Sequence, residues 1–131
     1  MRKILLSSLA LAAFVSLNSQ TSFAQGVGTA NDATFSQAVL ASPTPVVVDF
    51  YADWCGPCRS MGPAVEDLAA KFGSNVKFVR VNIDASPQTA NQYGINSIPA
   101  FRVFKNGKIV GGVTGAVPEQ SLSSVIKIAI R

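Results

Sequence analysis

The 131-residue sequence contains no histidine, so it lacks both the commonest general base and the commonest nitrogen ligand for a metal. It contains only two cysteines, two ligands short of a four-cysteine zinc site. Seven acidic residues face eleven basic ones, and no run of five or six like charges occurs. That gives no support to a nucleic-acid or anionic-membrane role. Charged residues make up only 14% of the chain and apolar residues 48%, a composition that fills a core and is unlike a disordered chain. The length suits one domain rather than two, and no internal repeat is visible.

Part of the apolar excess sits at the start. Arg2 and Lys3 precede an apolar run from Ile4 to Leu17, followed by polar Asn18 to Thr21 and then Ser22-Phe23-Ala24. A charged start, an apolar middle and small residues before a cut describe a secretory signal peptide over residues 1–24. The run is shorter than the ~20 residues a membrane-spanning helix needs and is broken by Ser7, Ser8 and Ser16, which favours cleavage over a retained anchor. No cysteine lies near the cut to accept a lipid, and Ile128-Ala129-Ile130-Arg131 is not a retention signal of the endoplasmic reticulum. The expected address is the periplasm, or the medium, with no stable membrane anchor after cleavage. Loss of Arg2 and Lys3 lowers the net charge from +4 to +2.

Residues 25–31 are small and polar and read as a flexible leader, which places the domain at 32–131. A helix is expected from Asp32, as its N-cap, to Leu40. The run Val46 to Tyr51 is β-branched and nearly all apolar, as in a strand covered on both faces. Met61, Ala64, Val65, Leu68, Ala69 and Phe72 recur at helical spacing, with Pro63 inside the pattern as a kink and Gly73 at its end. A strand over Val76 to Asn82 and a short helix over Pro87 to Tyr93 follow. Strands over Ala100 to Lys105 and Lys108 to Val113 are joined by Asn106-Gly107, a strong hairpin signal. Gly111, Gly112 and Gly115 leave the last strand open to bulging. A final helix from near Pro118 buries Leu122, Val125, Ile126 and Ala129. This order of elements gives a mixed sheet with helices on both faces.

The two cysteines stand in Trp54-Cys55-Gly56-Pro57-Cys58, where the first strand gives way to a helix. Attack on a disulfide requires a thiolate, and an ordinary cysteine is mostly protonated at neutral pH. Free amides and the positive dipole end at a helix start favour the anion, so Cys55 is the candidate nucleophile. Cys58 lies one turn further on, placed to resolve a mixed disulfide. Gly56 allows tight passage, and Pro57 falls in the first turn, where a missing N–H costs little. Covalent haem attachment requires histidine after the second cysteine, and Arg59 stands there. A structural disulfide is the serious alternative in an exported chain, although closing so short a loop gives little entropic gain.

Two further features leave alternatives open. Asp49 interrupts the apolar strand, where an ionised carboxylate is expensive to bury. It is either a residue paired with a neighbour or leaning to solvent, or a buried acid of raised pKa that exchanges a proton with Cys58. Pro99 either simply starts the following strand or forms the rarer cis bond with Ile98, turning the chain toward the cysteines.

Taken together, Val46 to Arg59, Val81-Asn82-Ile83-Asp84, Tyr93-Gly94-Ile95, Ser97-Ile98-Pro99 and Phe104-Lys105-Asn106-Gly107 with Gly115 resemble the thioredoxin family in order and spacing. The resemblance implies an α/β thioredoxin fold, a central mixed sheet of four to five strands with helices on both faces. It implies a thiol–disulfide oxidoreductase with Cys55 as nucleophile, Cys58 as resolving cysteine, a redox-active Cys55–Cys58 disulfide and Asp49 as proton carrier. Pro99 matches a cis-proline beside the cysteines. Trp54, Gly56, Pro57, Ile98, Pro99, Gly115 and Ala116 match an apolar surface that contacts the substrate. No cofactor beyond the disulfide and no metal is implied. The expected partners are disulfide-bonded proteins and a membrane electron donor, and the expected state is a monomer. Arg80 departs from the family's usual lysine facing the buried aspartate, and implies a more firmly ionic Asp49 because arginine does not give up its proton. Tyr51 replaces a common tryptophan, and residues 27–30 match the family's first strand poorly. Gly-Pro between the cysteines resembles the reducing members, so the expected activity is reduction of disulfides in exported proteins. The alternatives are a periplasmic disulfide-forming oxidant or isomerase, and a non-catalytic binding module.

Overall fold

The computed structural model describes residues 26–131, so the expected signal peptide at 1–24 lies outside the described residues. Five strands form one sheet: β1 (Gly28–Ala30), β2 (Val46–Tyr51), β3 (Lys77–Asn82), β4 (Ala100–Lys105) and β5 (Lys108–Thr114), in the order β1-β3-β2-β4-β5. β3 runs parallel to both β1 and β2, while β4 runs antiparallel to β2 and β5. The sheet is therefore mixed, as expected. No helix among the described residues is long and apolar enough to cross a membrane.

β2 lies at the centre of the sheet, and its first five residues are buried. Alternation along the strand sends Val47 to one face and Val46, Val48 and Phe50 to the other. On the first face, Val47, Phe78, Phe101 and Val103 pack under α1 (Gly56–Phe72) and α3 (Glu119–Ala129), which contribute Met61, Val65, Leu68, Leu122 and Ile126. On the second, Val46, Val48, Phe50, Val79, Val81 and Phe104 meet Phe35 and Val39, with Tyr93 and Ile95 alongside. Phe35, Tyr93 and Phe104 close that side as three mutually packed rings with centroids 5.1–5.6 Å apart. α1 continues through Pro63 and ends at Gly73, whose φ of +56° suits glycine. Asn106 and Gly107 turn the β4–β5 hairpin with φ of +52° and +76°, and the register shifts between Val103 and Phe104, leaving Val110 unpaired opposite them.

Two expectations are corrected. Gly28–Ala30, placed by composition in a flexible leader, forms edge strand β1 against Val79–Val81. A three-residue edge strand is too short for its side chains to carry a pattern, and its stability comes from the β3 backbone beside it. The helix expected from Asp32 to Leu40 is instead a turn followed by a short π-type segment over Ser36–Leu40. The turn is capped by Asn31, whose Oδ1 accepts the amides of Ala33 and Thr34 at 3.0 and 3.1 Å. Asp32 reaches across the fold to α2 (Pro87–Gln92), accepting the Gln88 amide at 3.2 Å and the Thr89 amide and hydroxyl at 2.8 and 2.7 Å. Those amides belong to the second and third residues of α2, where an N-cap side chain bonds. Ser86, the residue preceding the helix, makes no such bond.

Candidate active site

Cys55 follows a turn after β2 and takes the N-cap position of α1, with extended φ and ψ of −86° and 106°. Its Sγ accepts the Cys58 backbone N–H at 3.2 Å, so a sulfur occupies the place a serine or aspartate oxygen usually fills. The two cysteines are joined in a disulfide, with Cα atoms 5.3 Å apart. Gly56 and Pro57 form the first turn between them, so the residue without an N–H stands where no intrahelical bond is lost. Both cysteines are nearly enclosed, at 4% and 1% exposure, and pack with Ala52, Tyr51, Ile83 and Ile98.

Ile98 and Pro99 are joined by a cis peptide bond, and Ile98 touches the cysteine cluster. The Gly115 amide donates to Pro99 O at 2.7 Å, and Gly115 has a φ of +98°, outside the range that suits a side chain. Ala116 follows on the exposed side of that loop. Trp54 is 68% exposed yet fixed, because its Nε1–H donates to Asp84 Oδ2 at 2.8 Å. An exposed indole held by a carboxylate, beside a nearly buried disulfide, presents an apolar rim to solvent. Apart from Asp49 on β2, the residues proposed from the sequence thus arrive from three loops and one helix start.

Asp49 is 3% exposed. Alternation places it on the same face of the sheet as Val47, the face that α1 covers. Its Oδ2 accepts Arg80 Nε at 3.2 Å from the adjacent strand, while its Oδ1 is buried and without a partner. Burial pushes the carboxyl up to about 6, against the downward pull of the Arg80 charge and hydrogen bond. Arg80 therefore forms an ion pair with Asp49, but does not hold its carboxyl in the ordinary range. Arg80 remains 30% exposed in its side chain, and an ion pair open to solvent does not offset the desolvation of the carboxylate beneath it. The Arg80 guanidinium also stacks over the Tyr51 ring, 3.9 Å from its centroid.

Asp84, Ile83 and Tyr51 were not named as site residues from the sequence. Asp84 lies thirty positions from Trp54, and no local pattern connects an exposed tryptophan to a distant carboxylate. Among the described residues no cluster of three acidic or cysteine side chains is placed to hold a metal ion.

A family model described as Thioredoxin matches residues 26–128, beginning before the boundary at 32 drawn from composition and including β1. Thioredoxin 1 of Nostoc sp. is 50% identical over 96 residues, covering 73% of this chain and 90% of its own length. Thioredoxin of Synechocystis sp. is 47% identical over 97 residues, 74% of this chain and 91% of that protein. The chloroplastic M-type thioredoxin of Pisum sativum is 45% identical over 97 residues, 74% of this chain and 56% of its own length.

Proposed function

This chain belongs to the thioredoxin family and is a protein thiol–disulfide oxidoreductase, and from that premise we propose that it is an exported dithiol reductant of protein disulfides. The observation that carries the chemistry is a sulfur at a helix N-cap with the Cys58 amide aimed at it. Once the disulfide is reduced, that amide and the dipole of α1 favour the Cys55 thiolate. The thiolate attacks one sulfur of a client disulfide, the client S–S bond breaks, and the departing client thiolate takes up a proton. Cys58 then gives its proton to Asp49 and attacks Cys55 Sγ. The mixed disulfide breaks, the second client thiolate is released and protonated, and the Cys55–Cys58 disulfide forms. Two electrons pass from the cysteine pair to the client.

Asp49 suits this role because burial brings its carboxyl to about 6, close enough to neutrality to accept and return a proton. The partnerless Oδ1 is the oxygen available for it. Ile98 offers its backbone to an extended client strand. Trp54, Gly56, Pro57, Pro99, Gly115 and Ala116 supply the apolar rim around it. A membrane electron donor returns the two electrons, and the protein works as a monomer. Export rests on the sequence of residues 1–24 alone, and the periplasmic setting follows from it.

The test combines three measurements. Cys55→Ser abolishes dithiothreitol-driven insulin reduction, and Cys58→Ser expressed in the exporting cell accumulates mixed disulfides with periplasmic proteins. Equilibration against glutathione then gives the potential. A value near −120 mV, the strong-oxidant end of the scale, overturns the reductant assignment. Mixed disulfides found only with cytoplasmic proteins overturn export.

A further inference from the structure

β4 contains one residue at odds with its surroundings. The strand reads Ala100-Phe101-Arg102-Val103-Phe104-Lys105, and from Ala100 to Phe104 Arg102 is the one charge among otherwise buried positions. By alternation it shares a face with Ala100 and Phe104, opposite Gly112 on β5. Gly112 has no room for a side chain: a Cβ there stands 2.5 Å from Phe101 O and 2.9 Å from Arg102 Cδ. The arginine stem therefore lies across a bare glycine, along the strand and toward its start.

The guanidinium is consequently aimed at the active-site end of the sheet. Its Nη1 donates to Phe101 O at 2.9 Å, Val113 O at 3.4 Å and Thr114 Oγ1 at 3.2 Å, and its Nη2 donates to the same Thr114 oxygen at 3.2 Å. Thr114 pairs with Ala100, the residue after Pro99, and precedes Gly115, whose amide holds Pro99 O. The Nη1–Nη2 end of the fork is thus occupied by Thr114, whereas Nε has no hydrogen-bond partner among the described residues and Nη2 keeps a second hydrogen on that side. No carboxylate there forms an ion pair with Arg102; the described ion pairs involve Lys71 and Arg80 only. A shallow hollow of about 340 Å³ lies alongside, lined by Arg102, Ile109, Gly111, Gly112, Val113 and Thr114.

We propose that Arg102 is a specificity-determining residue that receives, on its open Nε–Nη2 side, the carboxylate of an acidic residue in a disulfide-bonded client protein. The planar fork matches a carboxylate in two parallel hydrogen bonds, and its orientation is set before the client arrives by Thr114 and two strand carbonyls. Two to three residues of strand separate Arg102 from Pro99, roughly 7–10 Å at ~3.3 Å per residue. The matching acid therefore lies two or three positions from the client cysteine. This selectivity rests on the reading above that the Pro99–Gly115 rim contacts the client.

The experiment compares three disulfide peptides differing only two and three residues on either side of the cysteine, where they carry Glu, Gln or Lys. The readout is the ratio of kcat/KM values, which a general loss of activity does not alter. The wild-type protein reduces the Glu peptide faster than the Gln peptide by roughly three- to tenfold, the size of one well-oriented ion pair, and the Lys peptide more slowly than either. The Glu preference shrinks as salt rises. Arg102→Leu brings the Glu-to-Gln ratio to one, and Arg102→Lys keeps part of it. A wild-type ratio of one, or an unchanged ratio in Arg102→Leu, overturns the role of Arg102 while leaving the reductase reading intact. Failure of the reduced wild-type protein to reduce any of the three peptides overturns both.

Discussion

Asp49 is the residue whose chemistry depends most on its surroundings. Val48 and Phe50 flank it in sequence, and its carboxylate is buried with one oxygen on Arg80 and the other on nothing. Desolvation raises its pKa from 3.8 to about 6 in spite of Arg80. The folded state therefore binds a proton more tightly than the unfolded chain does. Its contribution to stability is fully present below the unfolded value near 4 and is lost as pH rises through about 6. The oxidised wild-type protein loses stability over that interval, by a sum on the order of 2–3 kcal/mol from the size of the shift. Asp49→Asn removes this loss, so urea denaturation shows the variant gaining on the wild type by that amount between pH 4 and pH 8. A gap that does not change with pH contradicts the raised pKa. The strand position made Asp49 an anomaly in the sequence, but not which way it titrates. That required the exposure of Arg80 and its stack on Tyr51, which bring in a strand about thirty residues away, together with the orphaned Oδ1.

At the scale of elements, α2 shows a helix start satisfied from another part of the chain. Its own N-cap position supplies no side-chain bond, and Asp32 supplies three, to the Gln88 amide and to the amide and hydroxyl of Thr89. Partial burial pulls the Asp32 carboxyl up, but the Thr89 hydroxyl and the two amides outweigh it and hold the group below its usual value. The sign is thus opposite to that of Asp49: this contribution is present above the unfolded pKa near 4 and lost as pH falls through the lower folded one. Asp32→Ala lowers the urea midpoint at pH 7 without changing the slope. The difference from wild type narrows as pH falls below 4, and equal destabilisation at pH 7 and pH 3 rules out the cap as its source. Asn31 and Asp32 are both good caps, and sequence preference does not separate them. Only the fold shows that Asn31 serves its own turn and Asp32 a helix more than fifty residues on. The β4–β5 hairpin is the opposite case, since Asn106-Gly107 specifies its turn locally.

For the molecule as a whole, the sheet order β1-β3-β2-β4-β5 puts β2 at the centre. The turn after β2 and the start of α1 then carry the cysteines past the end of the sheet, where the Ile98–Pro99 and Gly115 loops also emerge. β1 covers the β3 edge with three residues. A chain beginning at Asp32 lacks both β1 and the Asn31 cap, leaving the Val79–Val81 edge open. Relative to a chain beginning at Gln25, its stability in chemical denaturation falls by about 2 kcal/mol, the worth of a few backbone hydrogen bonds. Equal stability of the two chains indicates that β1 contributes nothing to the fold.

The sequence alone determined the cysteine pair at a strand-to-helix boundary, the long amphipathic helix behind it, the central buried strand and the final hairpin. Each of these is written in contacts a few residues apart, through helical spacing, β-branched runs and turn residues with little conformational choice. Tertiary structure decided what depends on neighbours distant in the chain. It gave the three residues of β1 a partner, assigned Asp32 to α2, tied Trp54 to Asp84, and laid Arg102 across Gly112 toward Thr114. It also settled the competition at Asp49. Desolvation and a partly exposed counter-charge act on the same carboxyl, and their balance is set by burial, a property of the assembled layers rather than of any one segment.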